Sequence, residues 1–330
     1  MSTLAGKAIG PIGLGLMNLT WRPVSVPREQ AFAAIKTALD AGYNFLNAGE
    51  FYNAPERPCE NLDYLSEFFK KYPEYLDKAV VSVKGAIGPD FSPQSDPESL
   101  MASIDNIAKH LAPKTLDVFE PARVDANVPI EDIVTTLAKA VEAGKIKAIS
   151  LSEVSAKTLE KACAVQKIDA VEIEFSMFTT EPRSNGMFKV AAENGVTVVC
   201  YSPFARGFLA GAFRGQTKYN GDDLRQHFDR FSPENFAANQ RTSDLIYEFA
   251  ERKGVRASQV ALAWIMYHEK LFPGLQLIPI PGASSPERVK ENIVDFSLTD
   301  DEFNELEQIL ASAEIKGGRA NAVMIKHMDV

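Results

Sequence analysis

The sequence predicts an α/β protein whose parallel strands close into a (β/α)8 TIM barrel with a long loop on its C-terminal face, residues 1–330 forming one domain. Three observations predict it: about eight short β-branched or aromatic runs, stretches of helical period between them, and no long linker. The rival is a doubly wound open sheet. That fold would place G-x-G-x-x-G at a strand-to-helix turn, but Gly13-Leu14-Gly15 lacks the third glycine and any helical sequel.

In chain order, the runs 12–16, 43–46, 79–83, 116–119, 146–151, 170–175, 196–201 and 277–280 read as strands, because each is short, apolar and bounded by polar or turn residues. The stretches 28–41, 97–111, 130–143 and 258–268 carry apolar residues at helical spacing. Asp96 before Pro97 predicts an N-cap with a first-turn proline, and Ser258 reads as a second N-cap. Residues 207–239 break the alternation. In a barrel such a stretch sits at the C-terminal mouth, and its segment 215–223 reads equally as a belt over a bound molecule or as a solvated excursion.

With 35 basic and 44 acidic residues, the net charge of -9 argues against nucleic-acid or anionic-membrane surfaces, so any phosphate site must be local. Cys59, Cys163 and Cys200 form no CxxC, and the four histidines are scattered, so no metal site is expected. No apolar stretch reaches the ~18 residues of a membrane span, and the start at Met1 has no signal-peptide character. A cytoplasmic protein is expected, with its oligomeric state left open.

Lys84 follows a buried strand and Tyr52 follows another by a few residues, which puts both on the barrel face where active sites are found. A phenol titrating near ~10 can protonate a carbonyl oxygen near neutral pH only if a fixed positive charge stabilises its phenolate. Lys84 is the candidate for that charge. Trp21, beyond the first strand, is a candidate wall for a flat substrate, whereas Trp264, Met266 and Phe272 read as core. His110, at a helix C-terminus, reads as a partner of the helix dipole on the far side of the barrel.

Six collinear segments carry a resemblance to the aldo-keto reductases over nearly the whole chain: 11–17, Asn47 to Tyr52, Lys84, 150–154, 201–209 and 280–292. The resemblance implies a barrel that binds NADPH, or less often NADH, without a Rossmann domain and transfers hydride to a carbonyl. It assigns Tyr52 as general acid and Lys84 as its lysine. The family's aspartate is Asn47 here, and its histidine falls on Ala122. Asn47 can still orient the ammonium through its carbonyl oxygen, but it removes a negative charge and should leave the site more positive. Strand alternation places Glu120 on the face of Ala122, one pair deeper, so Glu120 is expected to replace the missing carboxylate beside Lys84.

Both departures resemble the fungal pyridoxal reductase type within that family, which makes a small-molecule aldehyde, pyridoxal, the leading substrate. Its phenolic hydroxyl could hydrogen-bond the neighbouring carbonyl oxygen and supply the donor that Ala122 lacks. A broader aldehyde or ketone reductase, or a nucleotide-sensing regulatory subunit, stays open. For NADPH the resemblance implies Ser152, Glu153 and Glu172 at the carboxamide, Tyr201 stacked on the nicotinamide, and Ser202 with Arg206, Gly207 and Leu209 at the pyrophosphate. Gly282, Ala283 and Ser284 would form the second phosphate loop, with Arg288 on a 2′-phosphate and Glu291 or Asn292 at the adenine.

Overall fold

A computed structural model describes residues 3–88, 90–221 and 224–320, with Ile325 and Met328. Eight parallel strands follow one another around the barrel: β1 (Leu14–Gly15), β2 (Phe45–Gly49), β3 (Val80–Gly85), β4 (Val118–Pro121), β5 (Ala148–Ser152), β6 (Ala170–Glu174), β7 (Thr197–Tyr201) and β8 (Gln276–Pro279). The N–H groups of Gly13 and Gly15 donate to Pro279 O at 3.0 Å and Pro281 O at 3.1 Å, and Gly15 bridges Gly282. These bonds join the first strand to the last and close the sheet. Among the described residues the eight-stranded sheet is left with no open edge.

Helices α1 (Arg28–Asp40), α2 (Glu60–Lys71), α3 (Pro97–Leu111), α4 (Ile130–Glu142), α5 (Ala156–Val165) and α6 (Met187–Asn194) fill the first six crossovers; α7 (Pro233–Lys253) and α8 (Ala257–Leu271) share the next. After β8 come α9 (Pro286–Glu291) and α10 (Asp300–Ser312). The Asp96 side chain accepts from Ser99 N–H, as expected of an N-cap beside Pro97. Ser258 is a correction: it lies inside α8, whose N-cap is Arg256, and there Gln259 accepts from the Arg256 N–H. The irregular stretch also ends earlier than expected, since α7 begins at Pro233. Its first turn carries proline at a position that needs no intrahelical donor. Of the belt segment 215–223, residues 222 and 223 lie outside the described residues.

The strand alternation sorts the barrel interior into layers. The lowest layer is apolar, made of Phe45, Val80, Val118, Ala148, Ala170, Val199 and Ile278, and capped by Leu4 and Ile9 around an N-terminal hairpin (Thr3–Leu4 with Lys7–Ala8). Two residues further along the strands the inward face becomes polar, with Asn47, Ser82, Glu120, Ser150 and Glu172, all buried. Above them stand Lys84, Ala122, Ser152 and Glu174. The apolar face between strands and helices forms a second, larger core that includes Trp264.

Candidate active site

Residues Asn47 to Tyr52 leave β2 as a tight turn that folds back over its own strand. A Cβ on Gly49 would meet the Tyr52 ring at 2.7 to 2.9 Å, so only glycine lets that ring lie where it does. The Tyr52 carbonyl accepts from Thr20 Oγ1 at 2.5 Å, and Asn61 bonds both Thr20 Oγ1 and Leu16 O. Glu50 accepts from Ser103 and Asn106, each at 2.6 Å, which ties the turn to α3. The position of the phenol is thus fixed from three elements.

Lys84 extends from β3 beneath that ring. Its ammonium donates to Asn47 Oδ1 and to Glu172 Oε2, each at 2.7 Å, and lies 5.6 Å from the Tyr52 ring centroid. Asn47 closes the triangle by donating Nδ2 to the same Glu172 oxygen at 2.7 Å. Glu120 is the adjacent residue in register with Lys84, but its Oε1 is 3.8 Å from the ammonium. Two expectations are therefore corrected. Glu172, assigned by resemblance to the carboxamide, is the nearer carboxylate of the lysine, and Glu120 is a more distant second. Asn47 itself brings no charge, and the Lys84 ammonium faces the carboxyl groups of Glu172 and Glu120.

The protonation states follow from that count. Burial alone would lower the Lys84 amine, but Glu172, Tyr52 and Glu120 outweigh it and hold the lysine charged above its ordinary range. Burial raises the Tyr52 phenol; Lys84 pulls it down, while Glu172 and Glu120 push it further up. The phenol is thus a neutral proton carrier at neutral pH. Burial, then the charge on Glu172, pushes the Glu120 carboxyl up to about 8. Ser150 donates to its Oε2 at 2.7 Å, while Oε1 accepts no hydrogen bond among the described residues.

Trp21 stacks on Tyr52 with centroids 5.5 Å apart and 25° between planes, and Phe91 stacks on Trp21 at 5.9 Å and 14°. Phe51 meets both Trp21 and Tyr52 edge-on. Trp21, the candidate wall for a flat substrate, thus lies against Tyr52, and Phe51 and Phe91, which were not singled out in the sequence, join it. Ala122 is buried and donates its N–H to Gly85 O at 2.9 Å. His110 bonds Asp63 at 2.8 Å on the outer helices, away from the site.

The residues expected at a dinucleotide lie at the ends of β5 and β7 and in the loops that follow β7 and β8. Tyr201 ends β7 with its hydroxyl buried and without a hydrogen bond among the described residues. Ser152 Oγ accepts from Arg123 Nη1 at 3.1 Å, so its own proton remains to be donated to a carboxamide oxygen. Ser202 and Arg206 hold φ values of 52° and 56°, and Gly207 one of 113°, which turns this loop sharply after the strand. Gly282 packs near Asn18 and Gly15, where an added Cβ would come within 3.1 Å of the Asn18 side chain. A buried unpartnered hydroxyl, a free hydroxyl proton and two close-approach loops fit a nicotinamide dinucleotide.

Other residues of that set are committed within the chain. Glu153 accepts from Arg319 at 2.8 and 3.0 Å and from Glu174 N–H at 3.0 Å. Arg206 pairs with Glu174 at 2.9 Å, and Arg288 pairs with Glu291 at 2.7 Å. Asn292 is buried beyond the C-terminus of α9, and Ala283 is buried as well; Ser284 accepts at its carbonyl from Gln30, and Leu209 packs in the core. Arg319 and the deep role of Glu172 escaped the sequence reading. Glu172 and Glu174 are two apart on a strand that lines the barrel, and two carboxylates facing one interior must find cations.

The family model described as "Aldo/keto reductase family" matches residues 11–311. "Probable pyridoxal reductase 2" of Schizosaccharomyces pombe is 36% identical, covering 97% of this chain and 97% of that protein. "Putative pyridoxal reductase" of Saccharomyces cerevisiae is 32% identical, covering 93% of this chain and 94% of its own length. In fold the chain is similar to a glycerol dehydrogenase from Gluconobacter oxydans, with a TM-score of 0.79 and 22% identity over 93% of each chain.

Proposed function

The chain belongs to the aldo/keto reductase family, and from that premise we propose that it is an NADPH-dependent aldehyde reductase of the cytoplasm whose foremost reaction is pyridoxal to pyridoxine. The observation that carries the reading is the buried ammonium of Lys84, held by Asn47 and Glu172 under the ring of Tyr52. Similarity to two proteins named as pyridoxal reductases favours the substrate. So does the aromatic wall of Trp21, Phe51 and Phe91, which suits a flat ring.

When bound along Ser152, Tyr201, the 202–209 loop and Gly282, the cofactor supplies hydride to the carbonyl carbon. Tyr52 donates its proton to the carbonyl oxygen, and Lys84 stabilises the phenolate that remains. Asn47 and Glu172 keep the lysine in place; a neutral Glu120 leaves the local charge balanced at one plus and one minus. Arg288 suits a 2′-phosphate once it releases Glu291, the basis for choosing NADPH over NADH. In Tyr52→Phe, pyridoxal-dependent NADPH oxidation should fall by about 10²- to 10⁴-fold while NADPH still binds by fluorescence titration. Undiminished turnover would refute the role of Tyr52. A parent protein that binds NADPH yet reduces no aldehyde would be a sensor instead.

A further inference from the structure

Arg123 follows Ala122 at the end of β4, and its guanidinium folds back over the mouth. Nη1 donates to Ser152 Oγ at 3.1 Å and to the Ala122 carbonyl. Its charge acts on both the Glu120 carboxyl of β4 and the Tyr201 phenol of β7, two strands that are not neighbours in the barrel. Its bond to Ser152 carries the guanidinium from the end of β4 across to the end of β5, its neighbour at the mouth. It is half-buried, yet among the described residues no carboxylate lies within the 4.0 Å of an ion pair. Glu153 is matched to Arg319 and Glu174 to Arg206 and Arg230, and Glu120 lies beyond ion-pair distance of the guanidinium. Of the five guanidinium donors, the Nη2 and Nε edge therefore has no protein acceptor among the described residues.

We propose that Arg123 selects aldehydes bearing an acidic hydroxyl on the adjacent ring carbon, by gripping that hydroxyl's oxygen with its unused guanidinium edge. The inference deepens the aldehyde-reductase reading and rests on it. Gripped there, the hydroxyl directs its proton to the neighbouring aldehyde oxygen, restoring a second donor beside Tyr52 where Ala122 offers none. A small side chain at 122 gives the guanidinium room to fold over. The fork geometry favours arginine over lysine, because two parallel N–H groups set the oxygen's position.

The test compares benzaldehyde, 2-hydroxybenzaldehyde and 2-methoxybenzaldehyde with the parent, Arg123→Gln and Arg123→Lys, each with saturating NADPH. The ratio of kcat/KM between the hydroxy and unsubstituted aldehydes is the readout, since any disturbance of Ser152 or of cofactor binding affects both and cancels. The parent should favour the hydroxy compound by about tenfold or more over the other two. Arg123→Gln should bring that ratio to within about threefold of unity, and Arg123→Lys should restore only part of it. A preference that survives in Arg123→Gln, or a parent that shows none, overturns the role of Arg123 while leaving the reductase reading standing. If the parent reduces none of the three, nor pyridoxal, the reductase reading itself has failed.

Discussion

At the N-terminal end of the barrel one carboxylate, Asp117, is shared by three lysines, whereas at the C-terminal end one lysine, Lys84, faces two carboxyl groups and an amide. Asp117, Lys114 and the upper cluster are buried while Lys7 and Lys147 are partly exposed, and the two charge balances are opposite. Asp117 bonds Lys114, Lys147 at 2.8 Å and the Val81 N–H at 3.0 Å, with Lys7 at 3.7 Å. Burial would raise its pKa, yet the cations reverse that and hold it below the usual carboxylate range. Lys114 is nevertheless pulled below its ordinary range by burial, because one carboxylate cannot fully offset three ammoniums. The lower cluster ties strands β3, β4 and β5 to the N-terminal hairpin with every oxygen used. The upper end leaves Glu120 Oε1 and the Tyr201 hydroxyl without a hydrogen bond among the described residues, as a binding face must. The lower end is thus built as folding requires and the upper end as the proposed chemistry requires, the division expected of this barrel.

The sharpest way to break that contrast is to remove the single cation of the upper cluster. Lys84→Met should lower kcat for aldehyde reduction by about 10²- to 10⁴-fold, since a phenolate left by Tyr52 would face carboxyl groups with no compensating charge. Single-turnover rates with NADPH check it. A variant within about twofold of the parent would mean that Lys84 is only structural.

Removing the single anion of the lower cluster should do the reverse. Asp117→Asn leaves three lysines around a neutral amide, one of them buried, and should cost about 3–5 kcal/mol of stability in urea unfolding. The folded fraction should keep kcat within about twofold of the parent, because the two clusters share no partner. A stability unchanged by the substitution would refute the structural assignment of the lower end.

The same contrast explains what was legible in the sequence. Alternation and helical period located the eight strands to within a few residues, because each strand has an apolar outward face packed under a helix. Tyr52 and Lys84 were legible because their roles need a fixed residue type at a fixed place on a strand end. Partner choice was not. Glu120, Glu172 and Glu174 all point inward, and which one reaches Lys84 depends on strand stagger around a closed barrel, which no local pattern encodes. Arg319 reaches Glu153 from 166 residues away, a contact set by the path of the chain after α10. The early start of α7 was hidden because Pro233 and Glu234 read as loop residues, although both suit the first turn of a helix.

Glu120→Gln gives the smallest effect and the finest discrimination between the two ends. In the folded protein the Glu120 carboxyl holds its proton up to about 8, while in the unfolded chain it releases it near the ordinary glutamate value. Between those two pH values the folded state binds one proton more than the unfolded state, so this group makes stability fall as pH rises, by up to about 1.4 kcal/mol per pH unit. Below the window both states are protonated and the group contributes no slope. Gln has no proton to lose and can still accept from Ser150, so the variant should match the parent near pH 4 and be clearly the more stable of the two near pH 8. Urea unfolding at the two pH values measures the difference. Asp117 must give the opposite slope, because its pKa is depressed: its contribution is present above the ordinary aspartate value and is lost as pH falls through the lower folded value. Parallel pH curves for Glu120→Gln and the parent would mean that Glu120 is ionised in the folded protein. The upper cluster would then carry one plus and two minus charges, and Tyr52 would be a weaker acid than the balanced site implies.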